Sequence, residues 1–169
     1  DVAVLEAWQP KARQPLEDAR KALLEARAAR ARAERAQDLA QALEDAGKGK
    51  ESLEILNSAL KMFQEMSAAD PKNTEYPYDA ANTRFSIGKT SMTLKDYEAA
   101  LETFTKAKDE FNVILTKNPE VTYTVRMSSQ NLDLLGKTYV ILAEKRNRQE
   151  FLQKGLENLQ LALQGFKKL

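Results

Sequence analysis

Few kinds of side chain able to do chemistry occur in this chain of 169 residues, which has no histidine and no cysteine. That excludes Ser-His-Asp and Cys-His nucleophilic catalysis, Cys/His zinc sites, and any side chain whose unperturbed pKa lies near neutrality. Carboxylates, lysines, tyrosines and hydroxyls remain, and they would need tuning by burial or arrangement around an oxygen-ligated metal. The adjacent carboxylates Glu44-Asp45 and Asp109-Glu110 come nearest to an acid-base pair. Neighbouring residues on a helix do not face one another, so both pairs read as solvated surface. Gly47 and Gly49 are the one close glycine pair. They lie between two helical stretches, without the strand or spacing of a phosphate loop or dinucleotide turn. No calcium-loop pattern occurs. The expectation is a protein without enzymatic activity, cofactor or metal.

The elements that position these groups are helices. Apolar residues make up 43% and charged residues 30%, an ordinary balance for one or two folded domains, and Lys+Arg 26 against Asp+Glu 25 leaves a net charge of +1. Only 6 Gly and 5 Pro interrupt a sequence rich in strong helix formers. No apolar run reaches the roughly 18 residues of a membrane span and no signal-peptide pattern is present, so no membrane insertion is expected. A chain without cysteine suits the cytoplasm and the periplasm equally, and its start at Asp1 reads as a domain cut from a longer protein.

Self-similarity decides the architecture. A shift of 48 residues carries Leu53, Glu54, Ala59, Phe63 and Pro71 onto Leu101, Glu102, Ala107, Phe111 and Pro119, and it carries Gly88-Lys89-Thr90 onto Gly136-Lys137-Thr138. A shift of 55 then carries Leu101, Glu102, Ala107 and Phe111 onto Leu156, Glu157, Ala162 and Phe166, with the extra residues in a polar loop at 144–149. Each period holds two helical stretches. Ala81, Phe85, Gly88 and Met92 recur at spacings of four, three and four, as do Ala100, Phe104, Ala107 and Phe111 beyond the turn at Lys95-Asp96. Asp70-Pro71 and Asn118-Pro119 mark stops, Asn73 is a cap for the next helix, and Pro77 falls in that helix's first turn. The prediction is an all-α solenoid of about three antiparallel helix pairs, with repeats at 28–70, 71–118 and 119–169, behind an amino-terminal helical extension at 1–27.

The run Lys95-Asp96-Tyr97-Glu98-Ala99-Ala100-Leu101-Glu102, followed by Phe104 and Ala107 and preceded by Ile87-Gly88, resembles the tetratricopeptide repeat signature. Gly88 and Gly136 fit that family's small position, and Ala40 fits it in the first copy. Ala100, Phe104, Ala107 and Ala162 fit the second helix. Arg84, Ala36 and Leu132 stand where the family often has an aromatic. The period of 48, against about 34 in the family, implies second helices about two turns longer than usual. The pairing of Ala-Asp-Pro-Lys-Asn with Lys-Asn-Pro before successive helices also resembles long-period repeats of bacterial multidomain signalling proteins.

The resemblance implies a protein- or peptide-binding scaffold whose first helices line a concave face. Its positions fall on Glu34, Gln37, Gln41 and Glu44, then Asn82, Phe85, Lys89 and Met92, then Gln130, Asp133, Lys137 and Val140. Phe85 and Met92 are equally readable as core. Family members that clamp a C-terminal carboxylate need a Lys and two Asn where this chain has Gln37, Gln41 and Ser86, then Lys and Arg where it has Gln130 and Leu134, so that ligand is not implied. The alternatives are a regulatory domain binding a small anion between Lys89 and Lys137, and a self-associating element built on the Ala-rich stripe of the first helix.

Both ends of the chain carry further expectations. Residues 1–9 read as a short helix ending at Pro10, with Trp8 as a wedge or anchor, and 15–46 as one long helix. Residues 11–35 hold eight basic and four acidic side chains. Without interleaved aromatics they read as a solvated face rather than a nucleic-acid site, so no nucleic-acid partner is expected. At the other end, Leu152, Leu156, Leu159, Leu163 and Phe166 form a stripe predicted to pack on the preceding helix, with Leu161 and Leu169 off it. A last helix that is only partly polar implies a chain continuing past Leu169 or a homo-oligomer formed through the terminal helices.

Overall fold

A computed structural model describes residues 2–119, 121–146 and 149–169, and the side chains of 14–119, 121–145 and 149–169. Six helices follow in order: α1 (Val2–Asp45), α2 (Gly49–Ala69), α3 (Glu75–Thr93), α4 (Tyr97–Lys117), α5 (Thr122–Arg146) and α6 (Gln149–Phe166). The described residues contain no strand. Each helix packs on the next and α3 also touches α5, so three helix pairs stack into an all-α solenoid. No described helix is long and apolar enough to cross a membrane.

Each pair closes at a place where side chains have been removed. A β-carbon on Gly88 would lie 2.5 Å from the ring of Phe104, and one on Gly136 would lie 2.7 Å from Leu159 and 2.9 Å from the Gly155 carbonyl oxygen. Phe104 and Leu159 are related by the same shift of 55, so the two crossings are equivalent. In the first pair Ala40 stands at this place, buried in one cluster with Leu56. Apolar side chains then fill the space beside each crossing: Leu56, Leu60, Phe63 and Ile87 in the first cluster, and Phe85, Phe104, Phe111 and Leu135 in the second. Helix lengths share the long period evenly, with 19 residues in α3 and 21 in α4. The extra turns are therefore not confined to second helices.

Turns repeat as faithfully as crossings. After α1 the Lys48 N-H donates to the Leu43 carbonyl at 2.8 Å with Gly47 at φ 75°; after α3 the Asp96 N-H donates to the Ser91 carbonyl at 2.9 Å with Lys95 at φ 62°. These are the same left-handed helix stop, 48 residues apart. Asp96 caps α4 by accepting from the Ala99 N-H at 3.1 Å, and Asn73 accepts from the Glu75 N-H at 2.9 Å at the start of α3. Pro77 lies in the first turn of α3.

Two expectations need correction. There is no separate helix ending at Pro10, because α1 runs from Val2 to Asp45 through both Pro10 and Pro15. Each proline deletes one hydrogen bond to the carbonyl four residues back, and the Ala, Leu, Glu and Arg residues that follow sustain the helix. The side chain of Trp8 and the connection at 147–148 lie outside the described residues. The second correction concerns α6. Its buried residues are Gly155, Asn158 and Ala162, while Leu152, Leu156, Leu163 and Phe166 are exposed and Leu159 is half-buried. The α5–α6 crossing at Gly136 and Gly155 brings the backbones so close that small residues face α5, joined from the leucine stripe by Leu159 against Gly136.

Lys95 holds a backbone conformation that Gly47 adopts without penalty in the preceding repeat. Lys95→Gly is expected to raise stability by about 0.5–1 kcal/mol in urea denaturation. A loss of stability would show that the lysine side chain, not its backbone, sets this turn.

Candidate functional site

The first helices α1, α3 and α5 share one side of the stack, and the seams between them are polar at one junction and apolar at the next. Between α1 and α3, Arg30 bonds Glu75 and lies 3.5 Å from Asp79, Gln37 donates to the Thr83 hydroxyl at 2.6 Å, and the Thr90 hydroxyl donates to Glu44. Residues 30, 37 and 44 are two turns apart, so they form a single column. Thr83 passes its own proton to the Asp79 carbonyl at 2.7 Å. Between α3 and α5 the matching place holds Tyr78 edge-on to Tyr123, with centroids 4.6 Å apart. Arg84 ties α3 to α4 through Glu110, with contacts of 2.9 Å to both carboxylate oxygens.

These seams decide which predicted residues are available to a partner. Gln37 is spent on Thr83 and Glu44 on Thr90. Phe85 is buried against Phe104 with centroids 6.0 Å apart, and Met92 packs on the same cluster. Val140 lies against Gly155 of α6. Asp133 is half-buried and pairs with Lys137 at 2.6 Å. Two columns stay open. One is Gln41, Lys89 and Lys137, all exposed; the other is Glu34, Asn82 and Gln130, of which Asn82 is half-buried. Sequence reasoning missed Asp38, and it read Asp45 as solvated surface without placing it on this face; both are exposed at the same helical spacing on α1. Asp45 accepts from Gln41 at 3.0 Å, and Glu34 accepts from Arg30 at 2.9 Å. The open face is thus acidic over α1 and carries lysines over α3 and α5.

Burial tunes two acids in the polar seam. Desolvation raises Glu44, opposed by Lys89 and reinforced by Asp45. Desolvation also raises Asp79 to about 6, opposed by Arg30 and reinforced by Glu34 and Glu75. The Asp79 Oδ2 atom is buried without a hydrogen bond, since its approach to Arg30 is an ion pair lacking hydrogen-bond geometry. Nothing in the sequence marked this cluster, because its members lie 45 to 49 residues apart and each looks like ordinary helix surface. No group of three His, Cys, Asp or Glu residues suited to a metal occurs among the described residues.

Clefts form elsewhere. One of about 340 Å³ lies between α4, α5 and α6 and is lined by Lys108, Asn112, Ser128, Leu132, Leu161 and Lys168. Its counterpart of about 370 Å³ one repeat earlier is lined by Gln64, Ala80, Glu110 and Val113. No protein-family model and no curated protein matches the chain.

Asp79 makes stability depend on pH in a stated direction. Between its ordinary 3.8 and about 6 the folded chain holds a proton that the unfolded chain releases. Stability contributed by this group therefore falls as pH rises through that window and is level above it. Asp79→Asn is expected to remove this slope and to stabilise the neutral-pH protein by about 1–2 kcal/mol, less than the whole shift implies because solvent still reaches the carboxyl. Urea denaturation from acid to neutral pH checks it, and identical pH profiles for the two proteins would contradict the assignment.

Proposed function

We propose that this chain is a tetratricopeptide-like binding module, without catalytic chemistry of its own, that holds an extended peptide segment of a protein partner across α1, α3 and α5. The observation that carries this reading is the pair of open columns, Gln41-Lys89-Lys137 and Glu34-Asn82-Gln130, which present one residue per repeat at a constant offset of 48. Helical repeats of this kind suit extended ligands, because amide side chains meet the ligand backbone while charges select its ends. The partner segment is dipolar: basic where it crosses Glu34, Asp38 and Asp45, acidic where it crosses Lys89 and Lys137. A small free anion between the two lysines is the alternative ligand; Lys89 faces Glu44 and Lys137 pairs with Asp133, so either ligand competes with these carboxylates.

Peptides selected from a display library against the whole chain should share this charge order. Charge-assisted hydrogen bonds contribute about 1.5–3 kcal/mol, so Lys89→Gln with Lys137→Gln is expected to weaken the selected peptides at least about tenfold. Folding stability should change by under about 1 kcal/mol, since both side chains are exposed. Unchanged affinity in a folded double variant would remove this face as the binding site.

A further inference from the structure

The face of α6 that points away from α5 is the face by which α2 and α4 receive the next first helix. The repeat register shows this directly. Phe63, Phe111 and Phe166 occupy one equivalent position, and their exposures are 0%, 0% and 41%. Phe63 is covered together with Tyr76, Ala80 and Ile87 of α3, and Phe111 together with Met127 and Leu135 of α5. Leu156 and Leu163 stand on the same line of α6, and Leu169 lies just beyond the helix at the place of Met66 and Ile114; all three are exposed. An apolar helix face built to be covered by a helix is therefore open at this end of the stack.

A second open face stands at the other end. α1 has 44 residues and α2 only 21, so α2 covers only the last part of α1. Residues 14–25 are all exposed, with Leu16 at 69% and Leu23 at 52%. Ala19 and Ala26 continue, at seven-residue spacing, the column of Ala33 and Ala40. Those two alanines are fully buried in one cluster with Leu56, Leu60 and Phe63 of α2. The covered half of the seam shows what the free half takes: a helix presenting leucines and phenylalanine into a line of alanines, where small residues let backbones approach. α6 presents that chemistry.

We propose that α6 of one copy is covered by the projecting half of α1 of a second copy, in a head-to-tail contact. Leu156, Leu163 and Phe166 of one chain lie against Leu16, Ala19 and Leu23 of the next. Both flanks are of mixed sign, Lys154 and Glu157 on α6 against Arg20, Lys21 and Glu25 on α1, so no block of like charge opposes the approach. One such contact covers both open faces. A symmetric α6–α6 contact would leave the leucines of α1 uncovered. Contacts of two unlike patches close into rings or grow as open chains.

Sedimentation velocity of the whole chain across the micromolar range tests this. The wild-type mass should rise with concentration beyond that of a dimer. Leu156→Gln with Leu163→Gln, and separately Leu16→Gln with Leu23→Gln, should each be monomeric. Their helical content should be unchanged, since all four side chains are exposed and glutamine is a good helix former. Mixed in equal amounts, the two variants should form a complex of twice the monomer mass and stop there, because each retains the one face the other lacks. A monomeric wild type, a mixture that stays monomeric, or either variant alone self-associating like wild type would overturn the proposal. The last outcome would assign the contact to two like faces.

Discussion

Everything in this stack depends on how closely two antiparallel helices can meet at one point in each pair. At Gly88 the neighbour is an aromatic ring, and at Gly136 it is the backbone of Gly155. Removing the side chain brings the axes together, and the large residues one turn away then interdigitate instead of holding the helices apart. Phe104 is fully buried because the crossing between it and α3 is tight. The first pair reaches the same end with Ala40.

Once the crossings are fixed, each helix is stabilised by its neighbours in the stack, and burial records their number. α3, covered on several sides, buries polar residues such as Thr83, Thr90 and Ser91 as well as its apolar ones. Two of these hydroxyls are satisfied across the seam by Gln37 and Glu44 of α1. The cost of taking polar groups from water is thereby met where two first helices meet. Asp79 is the exception in this seam, with a buried carboxylate oxygen that no donor reaches in good geometry; elsewhere Ser52, Thr124, Asn131 and Asn158 each bury an unpaired oxygen. At the ends of the stack the balance reverses, and apolar residues of α6 and of the projecting part of α1 remain in water.

Much of this was legible in the sequence, for physical reasons. A tight crossing tolerates so few residue types that Gly88 and Gly136 announce themselves at a fixed offset, and Asn73, read as a cap, accepts from the Glu75 N-H where α3 begins; the cap at Asp96 was read only as a turn. The polar seam was not legible. Arg30, Gln37 and Glu44 carry no local pattern that separates them from solvated helix surface, and only the packing of α1 on α3 gives them partners. The orientation of α6 was misread because periodicity identifies an apolar face without saying which neighbour it meets; Gly155 was the available clue. The open column at Lys89 and Lys137 followed from the repeat register, whereas Phe85 and Val140, in neighbouring columns expected on the same face, turn toward other helices.

The crossing itself can be measured directly, because two effects predict opposite signs for one methyl group. On helix propensity alone, Gly88→Ala would stabilise by about 1 kcal/mol. If the backbone of α3 truly rests on the Phe104 ring, the added carbon has no room, and stability should instead fall by about 1–3 kcal/mol. Adding Phe104→Leu should then make the alanine far less costly than it is in the presence of the ring, a positive coupling in the double-mutant cycle. Equilibrium urea denaturation of the four proteins gives the answer. A Gly88→Ala protein as stable as the parent or more so, with no coupling to Phe104, would contradict the close crossing on which the stack is built.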